Sequence, residues 1–206
     1  WDNLWREILV IDSPQGTNYF GYSIDMYNDN WIAYYKALYR CNVLLSKLDQ
    51  IDWKGDTALR NTYESETKFI RAYLYFEMVR LWGNIPLLTA PSTENVPQAA
   101  PEEVYKVIAQ DLVFASEILP SSAYTATVSG RVTKWAAKSL LARVYLYYTG
   151  YYGKTDLAGV VTKAQALAHV EDVVTLSGHG LLEDFSTLWP AASVEKYAGE
   201  SNREIV

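Results

Sequence analysis

Apolar residues recur every three or four positions through most of this chain, and polar breaks divide the pattern into five helical runs. Trp31, Tyr34, Tyr35, Leu38, Cys41, Leu45 and Leu48 mark the first long amphipathic helix, over 31–48. After the Lys54-Gly55-Asp56 break a second runs over 57–82, with Leu59, Tyr63, Ile70, Tyr73 and Leu81 expected on or near one face. Gly83 followed by Pro86 ends it. Pro101 suits a first helical position, and Glu102 and Glu103 favour the positive end of the helix dipole. Val104, Ile108, Leu112, Ala115 and Leu119 carry the apolar face of this third helix, and Pro120 stops it. Thr133 is placed to cap a fourth, which carries Trp135, Leu140, Leu141, Val144 and Tyr148 and runs to Gly150. A fifth covers 162–176 and stops at Ser177-Gly178.

The flanks have less pattern. Trp1, Leu4, Trp5, Ile8 and Leu9 form a short helical stripe that Ser13-Pro14-Gln15-Gly16 breaks. Residues 17–30 read as a polar and aromatic loop, 91–100 as a Pro-containing linker, and 201–206 as the start of a strand. These divide the chain into an N-terminal segment, 1–30, and a helical domain, 31–206. Helices two and four can be superposed at an offset of 70 residues: Ala72 lies eleven residues before Gly83, and Ala142 eleven before Gly153. Ala72 with Phe76 matches the second-helix signature of a tetratricopeptide unit, where a small residue lets two helices approach. The expected fold is mainly all-α: tetratricopeptide-like helical repeats forming an α-α superhelix with long loops. Helices one and two, and three and four, are expected to pair, with Ala72 and Ala142 at the crossings.

Composition narrows the function more than the fold. Lys and Arg number 18 against 24 Asp and Glu, a net charge of −6. A nucleic-acid binder would need a basic face to displace counterions from phosphates, so that class is set aside. No apolar run approaches the roughly 20 residues of a membrane helix. The chain opens on Trp1 rather than Met, as a processed product or a piece of a longer protein would. A single cysteine, Cys41, excludes an internal disulfide and reads as a small apolar residue on the first helix. Aromatic residues are 14% of the chain: 17 Tyr, 7 Trp and 5 Phe. Tyr and Trp combine a flat apolar face with a polar handle, which suits both helix packing and polar ligands.

Catalytic chemistry is sparse. Gly150-Tyr-Tyr-Gly153-Lys154-Thr155 ends like a phosphate loop, but its glycines are too close and a helix precedes it, so it reads as a helix-end turn. His169 and His179 stand in no ligand spacing with each other or with Cys41, so no metal site is expected. Asp25 with Asp29, or Glu64 with Glu66, reads as solvated surface rather than a glycosidase pair. Glu66 and Arg71 are five apart, too far for an ideal mutual pair, and each is expected to anchor a neighbouring loop or helix. Neither a catalytic residue nor a cofactor is expected.

The aromatic loop is the exception. Tyr19, Phe20, Tyr22 and Tyr27 lie among Asn18, Asp25 and Asn28, just before Trp31. Rings lie flat on the C–H faces of pyranoses while Asn and Asp bridge hydroxyl pairs, so this loop has the composition of a sugar site. For Tyr19, Phe20, Tyr22 and Tyr27 a sugar-binding and a core-packing role remain open, whereas Trp31 reads as core.

Several segments together resemble the SusD/RagB family. Tyr63-Glu-Ser-Glu66-Thr-Lys-Phe69-Ile-Arg71-Ala72-Tyr73-Leu-Tyr75-Phe76, then Trp82-Gly83-Asn-Ile-Pro86-Leu87, is similar to that family's central helix and the turn after it. Cys41-Asn42-Val-Leu-Leu, Pro101-Glu-Glu-Val-Tyr105, Asp111-Leu112, Gly130-Arg131-Val-Thr-Lys134 and the run from Ala136 to Leu146 follow in the family's order. Ala100 departs from it, standing where a Ser or Thr cap is common. The resemblance implies a lipid-anchored outer-membrane protein, on the extracellular face in Bacteroidetes, that binds oligosaccharide and forms a lid over a SusC-like TonB-dependent transporter. It also implies a ligand site in loops that include the segment leading into the first repeat helix. That places Tyr19, Phe20, Tyr22 and Tyr27 as stacking residues, with Asn18, Asp25 and Asn28 as hydroxyl partners. The alternative is a peptide-binding RagB-like lid, or a protein-binding helical scaffold with no sugar site.

Overall fold

The computed structural model describes residues 26–121 and 130–188. The stripe at 1–9, the segment 17–25 and the strand expected at 201–206 lie outside them. Among the described residues five helices follow in order: α1 (Met26–Lys47), α2 (Thr57–Trp82), α3 (Pro101–Ile118), α4 (Lys134–Tyr152) and α5 (Lys163–Leu176). A 3-10 turn, Leu48–Gln50, extends α1, and another spans Phe185–Leu188. Between α2 and α3 two short strands, β1 (Ile85–Pro86) and β2 (Gln98–Ala99), pair antiparallel with Ile85 opposite Ala99. That pairing folds the 91–100 linker back onto the end of α2. The architecture is the all-α helical stack expected from the periodicity.

The helix starts are held by local chemistry. The Asp56 carboxylate accepts the Leu59 amide at 2.8 Å, Thr133 Oγ1 accepts the Ala136 amide at 3.3 Å, and Thr162 exchanges hydrogen bonds with Gln165. Ala100 has no acceptor to offer, and Glu103 compensates by accepting the Ala100 amide at 3.3 Å. Gly83 and Gly153 close α2 and α4 at φ of 70° and 63°, backbone that an L side chain resists. The fourth helix therefore runs past the expected stop at Gly150, which breaks no backbone pairing, to Tyr152. The first helix begins five residues earlier than expected, so Tyr27 and Asn28 belong to its first turn rather than to a loop.

Each helix packs on the next in sequence, and the most extensive interface is between α2 and α3. The expected pairs α1–α2 and α3–α4 both form, within a continuous stack. The shared core includes Leu38, Ala72, Phe76, Val79, Ile108, Leu112, Leu141 and Val144. All five residues assigned to the apolar face of the third helix are buried. The face assigned to the second helix is wrong. Leu59, Tyr63, Ile70, Tyr73 and Leu81 are all exposed, between 39% and 59%. The buried face carries Ser65, Thr67, Arg71, Ala72, Tyr75, Phe76, Met78 and Val79. It combines polar groups satisfied inside the fold with a small residue, so an apolar count passes it over.

Ala72 is fully buried and Ala142 nearly so. Ala72→Phe is expected to overpack this crossing and cost about 1–3 kcal/mol, read as a fall in thermal or urea stability. The 70-residue correspondence fails one turn on: Phe76 is 1% exposed and Leu146 is 70% exposed. Phe76 meets rings from α3 and α4, whereas α4 turns Leu146 outward.

Candidate functional site

Of the seven residues expected to contact a sugar, Asn18, Tyr19, Phe20, Tyr22 and Asp25 lie outside the described residues. Tyr27 and Asn28 stand in the first turn of α1, with Asn28 exposed. The geometry that bears on the site is the surface this segment leads into.

The first turns of α1 are aromatic and anchored. Trp31 packs on Tyr35 at 4.8 Å between ring centroids and meets the edge of Trp82, at the end of α2, at 5.2 Å. Tyr34 meets Trp82 at 5.9 Å, also edge-on. The Tyr35 hydroxyl donates to the Pro86 carbonyl at 2.8 Å, and burial raises its pKa. Trp31 is half-buried against the core, as its place on the apolar stripe implied. Outward from this cluster, Trp31, Ile32, Tyr35, Lys36, Tyr39 and Arg40 line an open groove of about 540 Å³ along α1.

Behind it a buried polar network fixes α1, α2, α3 and the segment after α2 to one another. Arg71 on α2 donates to both carboxylate oxygens of Asp111 on α3, at 2.7 and 2.9 Å, and to Asn42 Oδ1 on α1 at 2.9 Å. A weaker contact reaches the Thr89 carbonyl at 3.3 Å. Asn42 Nδ2 donates to the Leu88 carbonyl at 2.7 Å. The Tyr75 hydroxyl donates to that carbonyl and accepts the Leu88 amide, both at 2.8 Å. Burial pushes the Tyr75 hydroxyl up to about 12. Burial also raises the Asp111 carboxyl, against the opposing pull of Arg71. A second clamp, Arg131 to Glu66 at 2.7 and 2.6 Å, ties the start of α4 to α2. Glu66 and Arg71 thus each anchor a different element, as their spacing suggested. The partners are 29 to 65 residues away, so nothing in local spacing identified them.

The arrangement holds the helices and the segment after α2 in fixed relation to one another. Among the described residues no three His, Cys, Asp or Glu side chains gather to hold a metal ion. Cys41 is a buried free thiol, and burial raises its pKa, so it packs as an apolar residue. Gly150 to Tyr152 are the last residues of α4, and Gly153 to Thr155 make the turn that closes it, with the Lys154 amide bonded to the Thr149 carbonyl at 3.1 Å.

A family described as SusD-like_3, "Starch-binding associating with outer membrane", matches residues 5–146. A SusD-like protein of Bacteroides ovatus is 29% identical over 180 residues, covering 84% of this chain and 31% of that protein. A laminarin-binding SusD-like protein of known structure superposes with a TM-score of 0.68 at 31% identity, over 82% of this chain and 36% of that one. A structure determined with xylogluco-oligosaccharide superposes at 0.65 and 27% identity, over 78% of this chain and 32% of that one. The chain spans about a third of the length of the curated relatives it matches, 31% in the first.

Proposed function

The chain belongs to the SusD-like family, and on that premise we propose that it is the helical portion of a surface glycan-binding protein serving nutrient uptake. The protein captures an oligosaccharide outside the cell and delivers it to a SusC-like TonB-dependent transporter. No helix among the described residues is long and apolar enough to cross a membrane, and we assign attachment to a lipid anchor on the extracellular face. Its role is binding rather than catalysis. The observation that carries this reading is the likeness, over most of the chain, to proteins described as binding starch or laminarin.

The site we assign to the segment entering α1: Tyr19, Phe20, Tyr22 and Tyr27 as stacking rings, with Asn18, Asp25 and Asn28 as hydroxyl partners. Support comes from what this segment is attached to. Helix α1 is locked to α2, α3 and the 85–90 segment by Tyr35, Asn42 and Arg71, a rigid base on which a binding segment is held with little entropic loss.

Calorimetry of the intact protein tests the assignment, comparing wild type with Tyr22→Ala and Tyr27→Ala against the best hit of a glycan array. Each lost ring is expected to cost on the order of 1–3 kcal/mol, by analogy with bases stacked on aromatics. Unchanged affinity in both variants, with folding intact, would move the site away from this segment. Binding of peptides but of no glycan would favour the RagB-like alternative.

A further inference from the structure

A second set of rings lies across the outer face of α1, α2 and α4 and shares only Tyr34 with the aromatic cluster described above. Tyr147 and Tyr151, one turn apart on α4, stack nearly parallel, with centroids 5.6 Å apart and planes inclined by 9°. A tyrosine pair at this spacing is often simple packing, but Tyr151 is 71% exposed. The Arg80 guanidinium lies 5.7 Å from the Tyr147 ring centre and pairs with Glu77. On the other side, Tyr34 of α1 meets the edge of Trp82 of α2 at 5.9 Å, and Tyr73, one turn before Glu77 on α2, is 46% exposed. Tyr34, Tyr73, Glu77, Arg80, Tyr147 and Tyr151 therefore form one belt, with an ion pair between its rings.

We propose that this belt is a second glycan contact, a stacking strip for successive pyranose rings of a polysaccharide longer than the oligosaccharide held at the first site. Four of its six side chains are tyrosines, each offering a flat face and a hydroxyl. Glu77 and Arg80 set an acceptor and a donor side by side between them, the pairing that vicinal hydroxyls require. The belt lies at the end of the stack where the chain enters α1, because Trp31 meets Trp82 and Phe76 meets Tyr147 there. The inference rests on the glycan-binding reading and deepens it.

The test uses the intact protein with laminarin, xyloglucan and soluble starch in affinity electrophoresis, and the matching short oligosaccharides in calorimetry. The double variant Tyr147→Ala/Tyr151→Ala is expected to bind the best polysaccharide about tenfold more weakly, with oligosaccharide affinity unchanged. Tyr151→Trp, which keeps a ring, is expected to retain the polysaccharide. Tyr151→Ala alone, at an exposed position, carries the same test if the double variant folds poorly. Equal polysaccharide affinity in variant and wild type overturns the belt and leaves the first site standing. An equal fall for polymer and oligosaccharide overturns it too, by merging the belt with the first site. Lost co-purification of a transporter with glycan affinity intact assigns the surface to a protein partner and overturns the inference. A wild type that binds none of the three polysaccharides overturns both readings.

Discussion

Asp111→Ala is expected to lower folding stability by about 3–5 kcal/mol, measured as the fall in urea-unfolding free energy of the intact protein. The pair it breaks is buried, with Arg71 at 7% and Asp111 at 4% exposure. Without the carboxylate the guanidinium keeps only Asn42 and the Thr89 carbonyl, neither charged, to replace the water it gave up. Its attraction to Asp111 is a poor measure of the effect, because both ions lost hydration on burial. The double replacement Arg71→Met/Asp111→Leu is therefore expected to be less damaging than Asp111→Ala alone, since no buried charge is left unpaired. It will not restore wild-type stability, because Asn42 Oδ1 loses its donor. A loss below about 1 kcal/mol for Asp111→Ala would show the pair behaving like a solvated surface bridge.

The second large effect separates two positions that the sequence pattern makes equivalent. Phe76→Ala is expected to cost about 3–5 kcal/mol, by transfer of a large ring and the cavity it leaves. The Phe76 ring meets the edges of Tyr105 at 6.3 Å and Tyr147 at 5.7 Å and carries Arg80 on its face at 4.4 Å, so no single neighbour can collapse into the gap. Leu146→Ala, one repeat later, is expected to change stability by less than about 0.5 kcal/mol, because its side chain is already in water. Thermal and urea unfolding of the two variants side by side measure the contrast. Comparable losses would mean that Leu146 is covered in the intact protein and that α4 has a partner on that face.

The helices were legible because their signals are local. The run 57–82 is bounded by Asp56, which caps Leu59, and by Gly83, which takes the positive φ that ends α2; both act within one turn of the helix. Thr133 and Thr162 work the same way. Where a boundary moved, the signal was ambiguous. Gly150 costs helix stability without stopping the helix, and the polar residues Asn28, Asp29 and Asn30 read as loop although an acidic first turn also suits a helix start. The site we propose rests on a composition, rings among Asn and Asp, and on a place in the chain before α1. The proposed belt draws Tyr34, Tyr73 and Tyr151 from three helices, so no window of the chain holds it.

Period and capping act through hydrogen bonds that span four residues, and these set the number of helices, their limits and the all-α class. Burial is a matter of neighbours. Helix α2 has an apolar stripe that faces out and a mixed stripe that faces in, because α1 and α3 supply Asn42 and Asp111 to satisfy Arg71 there. No window of the chain contains those partners together, since they stand 29 and 40 residues from Arg71. The same limit applies to Phe76 and Leu146: alike in sequence position, they differ because one meets rings from α3 and α4 while the other meets solvent.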